Sequence, residues 1–275
     1  MGKNSFAYFI ATYNKADFVP TYKALLDRKA SYPIHLVVST DDPQKDMYLK
    51  KYDNTLMFDK STYYDAVDSI GVYSKTHKIC TYSRLLVDFA AKVLGYRYVG
   101  YLFDDINSFS MRYAKDGKIV SSTNFRIDRF MDMYIDLLNS SHNIYFTGPP
   151  NASFYIGINE AASKGYSTRF GNMMVYDTQK QLEPYKASMM EDMTIVLNNN
   201  QKGKMSICPF GLQVDCRDPA VTDDSYNGMT LAEYVQQKSI MCGGLDIGKS
   251  IPNIPYSKFT PKIIDPKYKK SHKLI

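Results

Sequence analysis

The chain has 275 residues, of which 44% are hydrophobic, and it carries a formal net charge of +6 with a pI near 8.9. These values allow a sizeable core in one large domain or two small ones. Since no run of about 18 apolar residues occurs, we expect no transmembrane helix. The basic balance permits an anionic partner such as a nucleotide or DNA, but it is equally compatible with an ordinary, mildly basic protein.

The first 105 residues alternate between short apolar runs and segments with helical spacing. The predicted strands are Phe6 to Thr12, Pro33 to Ser39, Thr55 to Asp59 and Tyr98 to Phe103. The predicted helices between them are Phe18 to Arg28, Asp46 to Tyr52 and Thr81 to Leu94, the last with an apolar face made of Leu85, Leu86, Phe89, Ala90 and Val93. This order predicts an α/β fold with a mainly parallel sheet flanked by helices.

The second half of the sequence is less regular. It predicts helices over Arg126 to Leu138 and from Glu191 to Leu197, and strands over Ile144 to Thr147 and Phe170 to Tyr176. The last 25 residues, 251–275, are rich in proline and lysine, which favours an extended, mobile tail.

Four cysteines, Cys80, Cys208, Cys216 and Cys242, are spread along the chain, and none forms a CxxC pair. This spacing indicates neither a zinc site nor a redox motif. Together with the absence of a signal peptide pattern at the N-terminus, it predicts reduced thiols in a cytoplasmic protein.

Polar residues follow each of the first four predicted strands. The clusters are Thr12 to Asn14, Ser39 to Asp42, Asp59 with Lys60, and Asp104 with Asp105. Because ligands of open parallel sheets bind beyond the carboxyl ends of the strands, we expect these clusters to form one binding site.

The adjacent carboxylates Asp104 and Asp105, with Asn107 just beyond, are the most specific feature of this edge. Hard oxygen ligands suit Mg²⁺ or Mn²⁺, which take one or two protein carboxylates and complete their shell with phosphates and water. The alternative is a solvated Asp-Asp turn that opens a loop. The position after a fourth parallel strand favours the metal site.

At this point the chain resembles nucleotide-sugar glycosyltransferases of the GT-A fold, and most closely the phage TET-associated glycosyltransferases that modify hydroxymethylated pyrimidines in DNA. The matching segments are Ile10 to Lys15, Val37 to Pro43, Phe58 to Lys60, Tyr82 to Arg84 and Leu94 to Asp105. The resemblance implies a GT-A-like, Rossmann-type fold with an irregular C-terminal extension. It implies one domain over 1–250, with a nucleotide-sugar-binding half at 1–110 and an acceptor-binding half at 111–250.

The resemblance also implies roles for individual residues. The donor would be bound by Thr12, Tyr13, Asn14, Asp41, Asp42, Lys60, Arg84 and Asp104. A Mn²⁺ or Mg²⁺ ion would be held by Asp105 and Asp104, with His272 as a further candidate ligand. Phe103 departs from the family pattern, because an aspartate is common at that position. This departure brings strict metal dependence into question.

The segment Glu191-Asp192 begins a predicted helix. Acidic residues stabilise helix N-termini, which is one explanation for the pair. The resemblance implies another, in which Asp192 is the general base that deprotonates the acceptor hydroxyl and Glu191 is its neighbour. Gly148, Lys164 and Arg169 would contact the acceptor.

The resemblance therefore implies a metal-dependent glycosyltransferase that moves a sugar from a UDP-sugar to a hydroxyl, with a hydroxymethylated pyrimidine in duplex phage DNA as the expected acceptor. If the chain is phage-encoded, it would act in the cytoplasm of the infected host cell. The alternatives are a GT-A enzyme acting on a glycan or a protein, a sugar-nucleotide-forming nucleotidyltransferase, and a DNA- or glycan-binding module without catalysis.

Overall fold

The structure is a computed structural model that describes residues 5–66, 80–150, 166–167, 170, 172–183 and 191–216. The chain divides into two compact units. The first consists of Met1–Lys60, Ser83–Leu182 and Gly203–Arg217, and the second of Ser61–Tyr82, Glu183–Lys202 and Asp218–Ile275. The predicted domain limits and the predicted tail at 251–275 stay predictions, since the tail lies outside the described residues.

The described strands are β1 (Phe6–Thr12), β2 (Ile34–Ser39), β3 (Thr55–Phe58), β4 (Tyr98–Phe103), β5 (Ile106–Lys115), β6 (Lys118–Ser122), β7 (Ile144–Thr147), β8 (Tyr166–Ser167), β9 (Met173–Asp177), β10 (Met205–Ser206), β11 (Cys208–Pro209) and β12 (Leu212–Cys216). The helices are α1 (Pro20–Asp27), α2 (Lys45–Lys51), α3 (Cys80–Val93), α4 (Asp128–Ser140) and α5 (Glu191–Asn200), with a 3-10 helix at Lys60–Ala66. Among these described segments, no helix has the length and apolar character needed to cross a membrane.

The main sheet has seven strands in the order β10-β7-β9-β4-β1-β2-β3. Strands β4, β1, β2 and β3 run parallel to one another, and β9 runs antiparallel to both β4 and β7. Smaller sheets are formed by β12, β5 and β6 and by β11 and β8. The prediction of an α/β fold with a mainly parallel sheet flanked by helices is therefore confirmed.

Strands β1 and β4 form the centre of the sheet. Ile10 lies beside Leu102, and both side chains are completely buried. Gly100 leaves room for the ring of Phe6, because a Cβ at this position would lie 2.8 Å from its Cζ atom. A fully buried apolar side chain stabilises the fold by about 1.5–3 kcal/mol, so this pair of strands fixes where the loops at their carboxyl ends lie.

The predicted apolar face of α3 is wrong. Phe89 and Val93 are 62% and 69% exposed, whereas Val87 and Ala91 are buried on another face of the helix. That buried face also carries Arg84, which is 2% exposed. Because the prediction assumed that only apolar side chains are buried, it assigned the buried face of α3 to the opposite side of the helix. The side chain of Arg84 can be buried against the sheet because aromatic rings of β4 cover it, as described below.

The hairpin of β5 and β6 was not predicted, although the sequence contains a signal for it. Asp116 and Gly117 have positive φ angles of 51° and 72°, as the two central residues of a type I′ hairpin turn require, and Asp-Gly is a preferred pair for such turns. Strand β12 pairs with the first part of β5 in antiparallel orientation.

Candidate active site

The carboxyl ends of β1 to β4 meet at one edge of the main sheet. Thr12 lies beside Val38, Ser39 beside Phe58 and Ala11 beside Phe103. The residues that follow each strand therefore come together, as the sequence predicts for a parallel sheet. We refer to this edge, formed by residues 12–15, 40–44 and 103–105 with Lys60, as the carboxylate edge.

The turn after β4 is held in place from two sides. The hydroxyl of Thr21, in the first turn of α1, donates to the carbonyl oxygen of Phe103 at 2.6 Å and accepts from the amide of Ile106 at 2.9 Å. The amide of Phe103 donates to the carbonyl oxygen of Asn172 at 3.1 Å. These bonds fix the backbone around Asp104 and Asp105. Thr21 was not predicted to take part in the site, and Asn172 belongs to the segment from Arg169 to Tyr176, which we expected between donor and acceptor without singling out this residue.

Lys15 connects the loop after β1 with this turn. Its Nζ atom lies 2.7 Å from the Oδ1 atom of Asp104. The side chain of Lys15 is 44% exposed and that of Asp104 is 16% exposed, so the ion pair lies at the surface of the edge. Screening by solvent limits the stability that such a pair contributes. The ion pair joins the loop after β1 to the turn after β4.

The environment of Asp105 disfavours the charged form of its carboxyl group. Burial and the negative charge of Asp104 raise the pKa of Asp105, and the hydrogen bond from Asn172 and the charge of Lys15 offset this only in part. The Nδ2 atom of Asn172 donates to the Oδ1 atom of Asp105 at 3.3 Å. Two neighbouring carboxylates, one of them with a raised pKa, form a site whose negative charge a cation would stabilise.

Asp104 and Asp105 carry oxygen ligands of the kind that a divalent cation prefers, and a metal site here stays a prediction. Within the described ranges, no cluster of three or more His, Cys, Asp or Glu side chains is placed to hold a metal ion. Asp104 and Asp105 alone match the ligand set of Mg²⁺ or Mn²⁺ sites in which phosphates and water supply the other ligands. His272, the further predicted ligand, lies outside the described residues.

The loop after β1 is tied to the loop after β2 by Asp42. The carboxylate of Asp42 accepts from the amide of Asn14 at 2.8 Å and from the amide of Gln44 at 2.7 Å. Asn14 has a positive φ angle of 53°, a conformation that asparagine adopts more readily than most residues. Asp42 is only 2% exposed, so in this structure it orients the loop rather than facing a ligand.

Thr12 also stabilises the loop after β1. Its hydroxyl lies 3.1 Å from the hydroxyl of Tyr48, which in turn accepts from the amide of Lys15 at 2.8 Å. Tyr48 is fully buried and was not predicted to take part, because nothing in its local sequence distinguishes it from other core tyrosines. Thr12 and Tyr48 together hold Lys15 at the position from which it reaches Asp104.

Asp41 and Tyr13 are two predicted donor residues that solvent can reach. The side chain of Asp41 is 43% exposed and pairs with Lys60, which is 6% exposed. Burial by itself raises the pKa of Asp41, but the hydrogen bonds it accepts, led by that of Lys60, leave the pKa below its ordinary value. Burial and the charges of Asp41 and Asp42 raise the pKa of Tyr13.

Arg84 lies against aromatic rings of β4. Its Cζ atom is 4.5 Å from the ring centre of Tyr101 and 5.1 Å from that of Phe103. The hydroxyl of Tyr101 lies 2.9 Å from that of Ser83. Phe103, the position at which the sequence departs from the family pattern, therefore stacks on a buried guanidinium. Cation–π contacts of this kind help to hold an arginine in place.

The remaining predicted residues are placed only in part. A Cβ at Gly148 would lie 2.6 Å from the carbonyl oxygen of Met173, so the neighbouring strand leaves no room for a side chain here, while a close approach to an acceptor stays a prediction. Asp192 is half-buried in the first turn of α5, within the second unit. Glu191 begins α5, but its side chain is not described, and Lys164 and Arg169 lie outside the described residues.

Comparisons with known proteins bear on these predictions. A comparison with curated proteins found no match. Among solved structures, a cytidylyltransferase from Leptospira borgpetersenii is similar with 12% sequence identity and a TM-score of 0.38, over 86% of this chain and 87% of that one. A similarity this low supports no conclusion about function.

The family comparison is decisive. The model of the TET-associated glycosyltransferases matches residues 6–210, which include β1 to β4, the carboxylate edge and α5. The match therefore covers the residues on which the sequence resemblance depends. The chain belongs to the TET-associated glycosyltransferase family.

Proposed function

We propose that this glycosyltransferase moves a sugar from a UDP-sugar to the hydroxymethyl group of a modified pyrimidine in duplex phage DNA. Family membership supports sugar transfer. The observation that carries the proposal is the arrangement of Lys15, Asp104 and Asp105 at the carboxyl edge of the sheet, next to Tyr13 and Asp41. This arrangement combines groups for a nucleoside with groups for a diphosphate.

The donor would bind across the carboxylate edge. Tyr13 offers an aromatic ring for stacking on the base, and Asp41 offers an acceptor for hydrogen bonds from base or ribose. Lys15 and Arg84 would place positive charge near the diphosphate. The geometry of the loop would depend on Thr12, Asn14 and Asp42, which would thus contribute to donor binding indirectly.

Asp104 and Asp105 would hold a divalent cation, Mn²⁺ or Mg²⁺. When bound, such an ion supplies positive charge that stabilises a leaving phosphate oxygen. The adjacency of the two carboxylates supports this assignment, because Mg²⁺ and Mn²⁺ take one or two protein carboxylates and complete their shell with phosphates and water. The hydrogen bond from Asn172 would orient the carboxylate of Asp105 toward the same site.

The acceptor side is proposed from the family resemblance. Asp192, with Glu191 beside it, would take the proton from the hydroxymethyl group as the sugar is transferred. Lys164 and Arg169 would contact DNA phosphates, and Gly148 would allow a close approach of the backbone. Extrusion of the modified base from the duplex would bring its hydroxymethyl group to the donor.

Mass spectrometry of nucleosides tests the proposal. Hydroxymethylated duplex DNA is incubated with the protein, Mn²⁺ and a panel of UDP-sugars, then digested to nucleosides. We expect a mass increase of one sugar residue on the modified pyrimidine, and no increase on unmodified DNA or with the Asp104→Asn/Asp105→Asn variant. Donor hydrolysis without transfer to DNA would point to a glycan or protein acceptor. Inertness toward every UDP-sugar would contradict the proposed donor.

A further inference from the structure

The β5–β6 hairpin extends beyond the rest of its sheet. Strand β12 pairs with β5 from Ile106 to Met111, and the amide of Arg112 makes a last contact with the carbonyl oxygen of Gly211 at 2.7 Å. From there outward, β6 is the one strand that pairs with β5 in the described part of the chain. We call the segment Arg112–Ser122 the distal ribbon.

Both faces of the distal ribbon are accessible. Every residue from Tyr113 to Ile119 is exposed, and the apolar side chains of Tyr113 and Ile119 are 42% and 38% exposed. A two-stranded hairpin without a covered face is only marginally stable in water. The exposure therefore places the distal ribbon outside the core and leaves both of its faces open to a partner.

The charges of the ribbon identify the kind of partner. The segment contains three basic residues, Arg112, Lys115 and Lys118, and one acidic residue, Asp116, so its net charge is 3 − 1 = +2. Lys115 lies directly opposite Lys118 across the two strands. Like charges in this position destabilise a hairpin, and an anion bound between the two lysines would remove the repulsion.

The ribbon is attached directly to the carboxylate edge. Strand β5 begins at Ile106, immediately after Asp105, and is ten residues long. At about 3.3 Å per residue, the tip lies roughly 30 Å along the strand from its start. The main-chain hydrogen bonds of Phe103 and Ile106 fix the start of β5, so the ribbon projects from the candidate active site as a continuous strand.

We propose that the distal ribbon binds the phosphate backbone of the DNA duplex that carries the acceptor base, with Lys115 and Lys118 as the main contacts. This inference rests on the proposed DNA acceptor. Tyr113 and its partner Val120 lie on the same face as the two lysines, because residues two apart on a strand share a face. The major groove of duplex DNA is wide enough for a two-stranded ribbon.

The test compares two variants with equal charge loss. Lys115→Ala/Lys118→Ala removes the ribbon lysines, and Lys50→Ala/Lys92→Ala removes two exposed lysines of α2 and α3. Binding to a hydroxymethylated duplex is measured over a range of salt concentrations. Each phosphate contact contributes about 0.9 to the slope of log affinity against log salt, so we expect the ribbon variant to lower that slope by roughly 1.8 and the control to leave it unchanged.

Activity measurements distinguish a role of the distal ribbon in DNA binding from a role in donor binding. We expect the ribbon variant to lower kcat/KM for transfer to duplex DNA about tenfold or more, while donor hydrolysis and transfer to the free hydroxymethylated nucleoside stay at the wild-type rate. Its melting temperature should equal or exceed that of the wild type, since the repulsion between the lysines is gone.

The outcomes distinguish this inference from the proposed function. A wild-type chain that binds and modifies the duplex, together with a ribbon variant of equal slope and affinity, would overturn only the ribbon assignment. Loss of donor hydrolysis in the ribbon variant would also overturn it, because the lysines would then serve the donor. A wild-type chain that neither binds nor modifies the duplex would overturn both.

Discussion

Charged side chains are bonded differently at the amino ends and at the carboxyl ends of the parallel strands. At the amino edge, Asp128 accepts hydrogen bonds from the hydroxyl of Tyr8 at 3.1 Å and from the amide and hydroxyl of Ser31 at 2.9 and 2.7 Å. Nearby, Nζ of Lys180 donates to three carbonyl oxygens, those of Leu138, Ser141 and Ile144. These charges have partners on several sides, as expected of groups that stabilise the fold.

At the carboxylate edge, by contrast, two acids lie next to each other and one has a raised pKa. Lys15 contacts one carboxylate oxygen of Asp104 and is itself 44% exposed. The amino edge is built for stability, whereas we propose that the carboxylate edge serves binding. Substitutions at the two edges should therefore affect different properties of the protein, as the following predictions specify.

The largest effect should come from Asp105→Asn, which keeps the shape of the side chain and removes its charge. We expect kcat/KM for sugar transfer to fall about 10²–10³-fold, the loss typical of one preorganised electrostatic group at a reaction centre. The cooperative unfolding transition should persist. A variant with wild-type activity, measured with saturating donor and Mn²⁺, would contradict a role for Asp105.

The next effect should appear at the amino edge. Asp128→Ala leaves the buried hydroxyl of Tyr8 and two donors of Ser31 without their acceptor, and we expect the free energy of unfolding to fall by about 3 kcal/mol. Urea denaturation followed by circular dichroism measures this loss. Asp136→Ala, at an exposed position of the same helix, is the matched control and should change stability by less than about 0.5 kcal/mol. Equal effects of the two substitutions would refute the structural role of Asp128.

Thr21→Val should affect both properties to a smaller extent. The substitution preserves the shape of the side chain but removes the hydroxyl that bridges Phe103 and Ile106. We expect a loss of about 1–2 kcal/mol in stability. We also expect reduced transfer activity, because the turn that carries Asp104 and Asp105 loses its support. Unchanged activity in the folded variant would show that the turn keeps its geometry without Thr21.

The smallest effect concerns the pH dependence of stability. The pKa of Asp105 in the folded chain lies above its ordinary value near 3.8, so the folded chain binds more protons between the two values and loses stability as the pH rises through that window. Without metal, Asp105→Asn should therefore melt at a slightly higher temperature than the wild type at pH 7. The difference should shrink toward about pH 4, and a constant difference would contradict the raised pKa.

The fold was largely predictable because its central strands are apolar runs with polar residues at their ends. The two features that were missed follow from contacts that sequence patterns do not report. The buried face of α3 contains Arg84, whose partners on β4 are two aromatic rings. The β5–β6 hairpin has few apolar residues in its outer half, so its only clear signal is the turn at Asp116 and Gly117.

The candidate site was predictable in position but less so in the roles of its residues. Asp104 and Asp105 were identified because they follow a predicted parallel strand. Lys15, however, lies 89 residues from Asp104 in sequence, and only the fold shows that the two meet. Asp42 has the same chemistry as Asp41, yet burial and two backbone hydrogen bonds assign it to the loop.

The most direct test of the account is the effect of Mn²⁺ on UDP binding, measured by isothermal titration calorimetry. We predict that Mn²⁺ strengthens the binding of UDP to the wild-type chain about tenfold or more, a coupling of at least about 1.4 kcal/mol. The Asp104→Asn/Asp105→Asn variant should bind UDP with the same affinity with and without Mn²⁺. If Mn²⁺ strengthens UDP binding equally in the variant, or has no effect on the wild type, the two carboxylates do not form the metal site.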